Sequence, residues 1–342
     1  MGYMRVIADA FGGDNAPLEI LKGCALAVEE LGIDITVVGD EAIIKKVMTE
    51  NGISDKNITV HHAADVFTMD RNPISIRHKD NETSMAVGLR MLKAGEGDAF
   101  VSAGSTGALV VGGTFIVKRI KGVKKAAIGS VMPSDKGPFM LLDSGANIDC
   151  TPDNLVLFAV MGSLYMNKLM GIENPRVGLA NIGTEENKGT PLCVDSYKAL
   201  QNAPVNFIGN AEVRDIPFGA ADVIVTDGFT GNVILKMYEG VASALLGNIK
   251  KIFTASLVSK LSYVGIKGGM GEFKKKMDYK EFGGAPLMGL TMPVIKAHGS
   301  SDARTFKNAV RQAVRFSEQG VIDEIIASLG GVSDEDEAQE EN

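Results

Sequence analysis

Six short segments hold most of the residues that could do chemistry. They are DAFGGDNAP (9–17), SAGSTG (102–107), DSGAN (143–147), NIGTEENKG (181–189), DGFTGN (227–232) and HGSSD (298–302). Glycine lets backbone N–H groups approach an anion, and a helix that starts there adds positive potential. Ser, Thr and Asn add neutral donors. Any one of these loops is equally a plain strand-to-helix turn. Several on one sheet edge would make an anion site. None is a G-x-x-x-x-G-K-[ST] loop, and the first strand is followed by DAFGGDNAP rather than G-x-G-x-x-G, so a nucleotide reading has little support.

Metal and covalent chemistry are poorly supplied. There are four histidines. His61 and His62 are adjacent and point to opposite faces of a strand. His78 sits in a polar segment, which leaves His298 in a Gly/Ser loop. No G-x-S-x-G elbow and no H-E-x-x-H is present. Asp9, Asp14, Asp143, Glu185 and Asp227 either surround a divalent cation or cap helices and orient loops, and strand-end Asp favours the second. The expectation is no metal and no cofactor.

The elements that position these loops alternate. Strands are predicted at 4–9, 34–39, 57–61, 98–102, 126–131, 139–143, 176–182, 205–209 and 221–226. Helices are predicted at 18–31, 82–94, 106–118, 152–170 and 229–251, the last continuing to about 263, with another ending near 49. Short runs at 286–290 and 293–297 precede a final helix at 302–329, and 63–81 has no clear assignment. Near-continuous apolar strands between helices imply an α/β fold with an open, largely parallel sheet covered on both faces. Ligands in such sheets bind beyond the strands' carboxyl ends.

The bulk properties fit a soluble globular protein. The chain has 342 residues, 45% hydrophobic, with 40 glycines and no Trp. No run of apolar residues reaches membrane-spanning length and no signal peptide is recognisable, which argues against export. Three scattered cysteines fit a reducing cytoplasm. The net charge is −7, but six acids and no base lie in the tail 333–342, so the body is near neutral and nucleic acid is not an expected partner. The expected organisation is one α/β unit over 1–332, with any division into lobes soft, and a disordered acidic tail.

Taken in order, DAFGGDNAP, SAGSTGAL, LLDSGANIDCTP, NIGTEENKG, TDGFTGNVILK and GGAPLMG…PVIKAHGSSD resemble the fatty acyl-acyl-carrier-protein:phosphate acyltransferases of bacterial phospholipid synthesis. The likeness runs from about residue 6 to 329. It implies an open Rossmann-like fold related to phosphate acetyltransferases and isopropylmalate-type dehydrogenases. It also implies a homodimer that moves the acyl group of acyl-carrier protein onto inorganic phosphate, giving acyl phosphate. Phe11 stands where the family usually has Met, Asn15 where His is frequent, and Thr291–Met292 where Asn–Gly is commoner. A His base at position 15 is therefore not essential here.

That chemistry suits these loops. Phosphate is already a nucleophile and a pantetheine thiolate a good leaving group, so the site needs a held phosphate, an aligned carbonyl and oxyanion donors rather than a triad. His298, Ser300 and Ser301 are expected to hold phosphate at the last helix N-terminus, a stretch similar to the phosphate-binding one of phosphate acetyltransferases. Gly104, Ser105 and Thr106 are expected to add phosphate donors. Lys188, with Asn181 and Gly183, is expected to supply charge and donors to phosphate or oxyanion. Asp227, Thr230 and Asn232 are expected to position the reacting groups, with Asn232 also a candidate helix cap.

Residues 246–267 carry four Lys and no acid. Leu246, Ile249, Phe253, Leu257, Leu261 and Val264 recur on one helical face, with Lys250, Lys251 and Lys260 largely off it. This helix is either an interface or core element, or a surface for anionic lipid or acidic carrier protein. A second basic cluster, Lys118, Arg119, Lys121, Lys124 and Lys125, serves the carrier or solvates a loop. The second reading places the protein in the cytoplasm, on the inner face of the membrane, near the membrane glycerol-3-phosphate acyltransferase. Competing functions are an acyl-coenzyme A:phosphate transferase, a decarboxylating dehydrogenase and a non-catalytic membrane scaffold.

Overall fold

The computed structural model describes residues 4–79, 81–277 and 282–329. The expected acidic tail, 333–342, lies outside them, as do the side chains of Leu257 and Leu261. Eleven strands form one sheet among the described residues. They are β1 (Arg5–Asp9), β2 (Asp34–Gly39), β3 (Ile58–His62), β4 (Ala99–Ser102), β5 (Ala127–Ser134), β6 (Gly137–Leu142), β7 (Arg176–Asn181), β8 (Asn206–Glu212), β9 (Val223–Val225), β10 (Ala285–Met288) and β11 (Val294–Lys296). Their order is β3-β2-β1-β4-β11-β10-β5-β6-β9-β7-β8.

Seven of the ten pairings are parallel, as the strand–helix alternation predicts. The three antiparallel ones are consecutive: β11–β10, β10–β5 and β5–β6. Three reversals in a row have a consequence for function. The strands β6, β9, β7 and β8 run opposite to β1, β2, β3, β4 and β11.

The helices are α1 (Leu18–Leu31), α2 (Glu41–Glu50), α3 (Ser84–Lys93), α4 (Thr106–Gly112), α5 (Pro152–Met170), α6 (Pro191–Leu200), α7 (Gly228–Thr254), α8 (Leu257–Met277), α9 (Ala303–Glu318) and α10 (Val321–Ser328). One core joins β1 and β4 to α1, α5 and α9, with Phe158, Tyr165, Phe306 and Phe316 fully enclosed. A second lies against α3 and α4, around Phe100, Ile76 and Leu89. Both faces of the sheet are thus covered, which is why β1 and β4 read as unbroken apolar runs.

Three local expectations are corrected, and residues 63–81, which had no assignment, contain a short 3-10 turn, Pro73–Arg77. The Gly/Val-rich helix from 106 gives way to a π-turn at Gly113–Val117. The last helix is two helices, divided at Gly320, which has φ 63°. The helix from 229 does not run on to 263: α7 stops at Thr254 and α8 starts at Leu257. Phe253 and Tyr263 then pack in a tilted pair with ring centroids 5.4 Å apart. A straight helix would separate them by roughly 15 Å along its axis, so the chain turns back. No helix among the described residues is long and apolar enough to cross a membrane.

Candidate active site

The six loops do not share one edge. Sheet polarity divides them. The loops after β1, β4 and β11 meet at one edge. Asp14 N–H donates to the Gly299 carbonyl at 2.8 Å, and Asn15 Nδ2 donates to the Ser300 and Ser301 carbonyls. A Cβ on Gly12 would stand 2.6 Å from the Gly104 nitrogen, so only glycine lets these two loops touch. The loops after β6, β7 and β9 belong to the oppositely directed strands. There Gly228 N–H donates to the Asn147 carbonyl at 2.7 Å. A Cβ on Gly231 would fall 1.8 Å from the Asp143 carbonyl oxygen.

Helix α7 joins the two groups. Asp227 caps it, accepting from Thr230 N–H at 2.9 Å and Thr230 Oγ1 at 2.7 Å. Asn232, Leu235, Lys236 and Glu239 follow at i, i+3, i+4 and i+7, one helix face. That face lines a cavity of about 420 Å³. The first edge contributes Gly104, Thr106, Lys296, His298 and Gly299, and the loop after β6 contributes Ser144 and Gly145. Ile128, Val131, Met132, Met69 and Phe282 are among its apolar lining residues.

The charges at this cavity are arranged around His298. Its Nδ1 accepts the Ser300 N–H at 3.2 Å and lies 2.9 Å from Ser300 Oγ. Its Nε2 lies 3.9 Å from Glu239 Oε1, and Glu239 Oε2 holds Lys236 Nζ at 2.9 Å. Lys296 ends β11, and its Nζ donates to the Ala103 carbonyl at 3.1 Å and to the Ala297 carbonyl. Burial pushes its pKa down to about 8, opposed by Asp9 and Asp14 and assisted by Lys236. Asp9 itself is buried and accepts from Ser84 Oγ at 2.6 Å and Ser102 Oγ at 2.7 Å. Its pKa is raised by burial, against those hydrogen bonds.

The predicted residues separate accordingly. Gly104, Thr106, Asn232 and His298 come together in the cavity lining. Asn232 is not the helix cap, which is Asp227; it sits one turn into α7. Ser105 caps α4, accepting from Ala108 N–H. Ser301 is 1% exposed and its Oγ donates to the His298 carbonyl at 2.6 Å, so it builds the turn. The last helix N-terminus, now the start of α9, already holds two carboxylates. Asp302 accepts from Thr305 N–H at 2.8 Å, and Glu19 accepts from Ala303 N–H at 2.9 Å.

Lys188, Asn181 and Gly183 lie with Asp227 and Thr230 at the other edge. Asn181 Nδ2 donates to the Lys188 carbonyl at 3.0 Å, and exposed Lys188 is 3.9 Å from Glu185. The strand-end acids behave as orienting groups. Asp143 accepts from the N–H groups of Ile128, Gly145, Ala146 and Asn147 and from Asn147 Nδ2. No group of three His, Cys, Asp or Glu side chains among the described residues is arranged to hold a metal ion.

Sequence reasoning missed Lys236, Glu239 and Lys296. The signal for Lys296 was a lysine ending an otherwise apolar strand, PVIKA. For the other two it was their shared helical face with Asn232.

Comparison with known proteins agrees with this architecture. A model of the family described as fatty acid synthesis protein matches residues 4–324. A phosphate acyltransferase of Clostridium novyi is 45% identical over 323 residues, 94% of this chain and 97% of that one. One from Thermoanaerobacterium thermosaccharolyticum is 45% identical over 332 residues, 97% of this chain and 98% of that one. Among solved structures, a phosphotransacetylase from Streptococcus pyogenes superposes with a TM-score of 0.64 at 17% identity, covering 93% of this chain and 94% of its own. A 4-hydroxythreonine-4-phosphate dehydrogenase from Klebsiella pneumoniae gives 0.52 at 12% identity, covering 93% and 98%. The solved structures define the fold, a Rossmann-like α/β sheet, and the sequence relatives define an acyltransferase enzyme. The chain belongs to the phosphate acyltransferase family.

Proposed function

We propose that the protein transfers the fatty acyl group of acyl-acyl-carrier protein to inorganic phosphate, giving acyl phosphate for phospholipid synthesis. One observation carries the reading: the same cavity is lined by cations and neutral donors and by several apolar side chains. The cations and donors suit a phosphate, the apolar side chains an acyl chain. A phosphate oxygen attacks the thioester carbonyl, the C–S bond breaks, and the thiolate departs and takes up a proton. Of the cluster at the start of α7, Asn232 reaches the cavity and is assigned to the developing oxyanion.

The reading extends to partners. An exposed row on α7, Phe229, Val233 and Met237, is assigned to a second copy of the chain in a homodimer. The α7–α8 hairpin, with Lys250, Lys251 and Lys260 exposed, is assigned to the inner, anionic face of the cell membrane, which places the protein in the cytoplasm as a peripheral membrane enzyme beside the membrane glycerol-3-phosphate acyltransferase. The test is phosphate-dependent formation of acyl phosphate from purified acyl-acyl-carrier protein, with and without chelator. Acyl-coenzyme A is run beside it as donor. Turnover of acyl-coenzyme A alone would replace the donor, and no acyl phosphate from either would end the reading.

A further inference from the structure

We propose that Lys296 is the residue that grips the phosphate acceptor in the cavity, an inference that rests on the reaction proposed above. Lys296 occupies the last position of β11, between β4 and β10 in the middle of the sheet. A strand this central excludes charge unless the charge has a partner, because removing an ammonium from water costs several kcal/mol. The partners on the protein are incomplete. An ammonium has three donors, and two of them go to the carbonyls of Ala103 and Ala297. Those carbonyls are neutral.

The acids nearby do not supply a direct ion pair. Asp9 contributes a favourable field, but its carboxylate is already held by Ser84, Ser102 and the Phe11 N–H. Asp14 contributes a weaker field, and Lys236 opposes. What Lys296 does face is the cavity, which it lines together with Gly104, Thr106 and His298. A cation fixed by two carbonyls, with a donor remaining and neutral donors and His298 lining the same cavity, fits a tetrahedral oxyanion. The alternative is that Lys296 is a structural pin linking β11 to the end of β4.

The two readings differ in what removal does. Lys296→Met is compared with the wild-type protein by calorimetry, with inorganic phosphate and phosphopantetheine as separate probes, and by thermal unfolding. The expected result is phosphate affinity at least tenfold weaker, phosphopantetheine affinity within twofold, and a melting temperature unchanged or higher. Turnover assays should show the loss in the phosphate KM rather than in the KM for the acyl donor. If Lys296→Met does not fold, Lys296→Arg takes its place. It keeps the charge without the compact ammonium, and it should bind phosphate several-fold more weakly with its fold intact.

Unchanged phosphate affinity in a folded variant overturns the assignment, as does a wild-type protein that binds no phosphate. Loss confined to phosphopantetheine also overturns it, since the anion would then be the carrier's phosphodiester. If the wild-type protein binds phosphate but forms no acyl phosphate, the proposed reaction fails, and the calorimetry still decides the role of Lys296.

Discussion

Nε2 of His298 lies 3.9 Å from Oε1 of Glu239. Because Nδ1 accepts the Ser300 N–H, the neutral imidazole carries its proton on Nε2, toward that carboxylate. Glu239 also holds Lys236, so one acid contacts two basic side chains at the cavity. A carboxylate in a phosphate cavity also repels the ligand.

Glu239→Gln is therefore expected to lower the phosphate KM about threefold, since partly exposed charge pairs are worth about 0–1 kcal/mol. Steady-state kinetics with phosphate varied checks it. A raised KM would mean that the placement of His298 and Lys236 outweighs the repulsion.

The two serines of HGSSD should behave differently. Ser300 is exposed and its Oγ lies 2.9 Å from His298 Nδ1. Ser300→Ala should raise the phosphate KM by loosening the imidazole. Ser301 is enclosed and bonded to the His298 carbonyl. Ser301→Ala should cost about 1 kcal/mol of stability. Urea unfolding and phosphate kinetics on both variants test the split. Equal effects would remove it.

These differences show where the sequence was legible. Apolar runs such as RVIAD and AFVS announced buried strands because period and burial are local properties. Strand direction is not local. PLM in β10 and VIK in β11 read alike, yet they run antiparallel, and that choice places HGSSD and NIGTEENKG at different edges. The anion loops were visible as residue types, while their grouping depended on pairings between distant segments. Ser301 shows the same limit at finer scale: a hydroxyl in a Gly/Ser loop reads as a ligand donor until its partner, the His298 carbonyl, is seen.

The contact between the Asp143 loop and α7 makes a sharp steric prediction. Gly231→Ala places its new carbon on the Asp143 carbonyl and should destabilise by about 3 kcal/mol. Gly240, on the same helix, has no neighbouring atom within 4 Å of where a Cβ would stand. Gly240→Ala should stabilise by about 0.5–1 kcal/mol through helix propensity. Chemical denaturation of the pair is the measurement, and similar midpoints would contradict the packing.

Lys296 sets a pH dependence with two parts. Its pKa in the folded protein is about 8, below the ordinary 10.5. Between those values the unfolded chain binds more protons, so stability rises with pH across the window. Below it the folded protein carries a burden on the order of 3 kcal/mol, which Lys296→Met would relieve. Phosphate affinity moves the other way. Above about pH 8 the cation loses its proton, so the phosphate KM should climb, and Lys296→Arg should flatten that limb because guanidinium stays charged. His298, Glu239, Lys236, Asp9 and Asp14 share the field. An alkaline limb unchanged in Lys296→Arg would show that Lys296 does not set it.

The α7–α8 hairpin revises which residues meet a membrane. Leu246, Ile249 and Phe253 were expected on one apolar helical face, either an interface or core element or a lipid surface; all three are half-buried, and Phe253 packs on Tyr263. Among the described residues, the outward apolar side chains of the hairpin include Ile252, Val258, Val264 and Ile266, at 64, 73, 70 and 43% exposure, with Lys250, Lys251 and Lys260 also exposed. Anionic lipid attracts each nearby lysine by about 1 kcal/mol, and burying an isoleucine side chain adds about 2 kcal/mol. Binding to vesicles should therefore be reversible, favour anionic lipid and weaken with salt. Ile252→Glu replaces an exposed side chain, so the variant should remain folded and turn over soluble acyl donor at the wild-type rate. It should no longer sediment with anionic vesicles. Sedimentation equal to the wild-type protein would place the lipid contact elsewhere. Aggregation or loss of soluble activity would instead mean that this face is covered by protein.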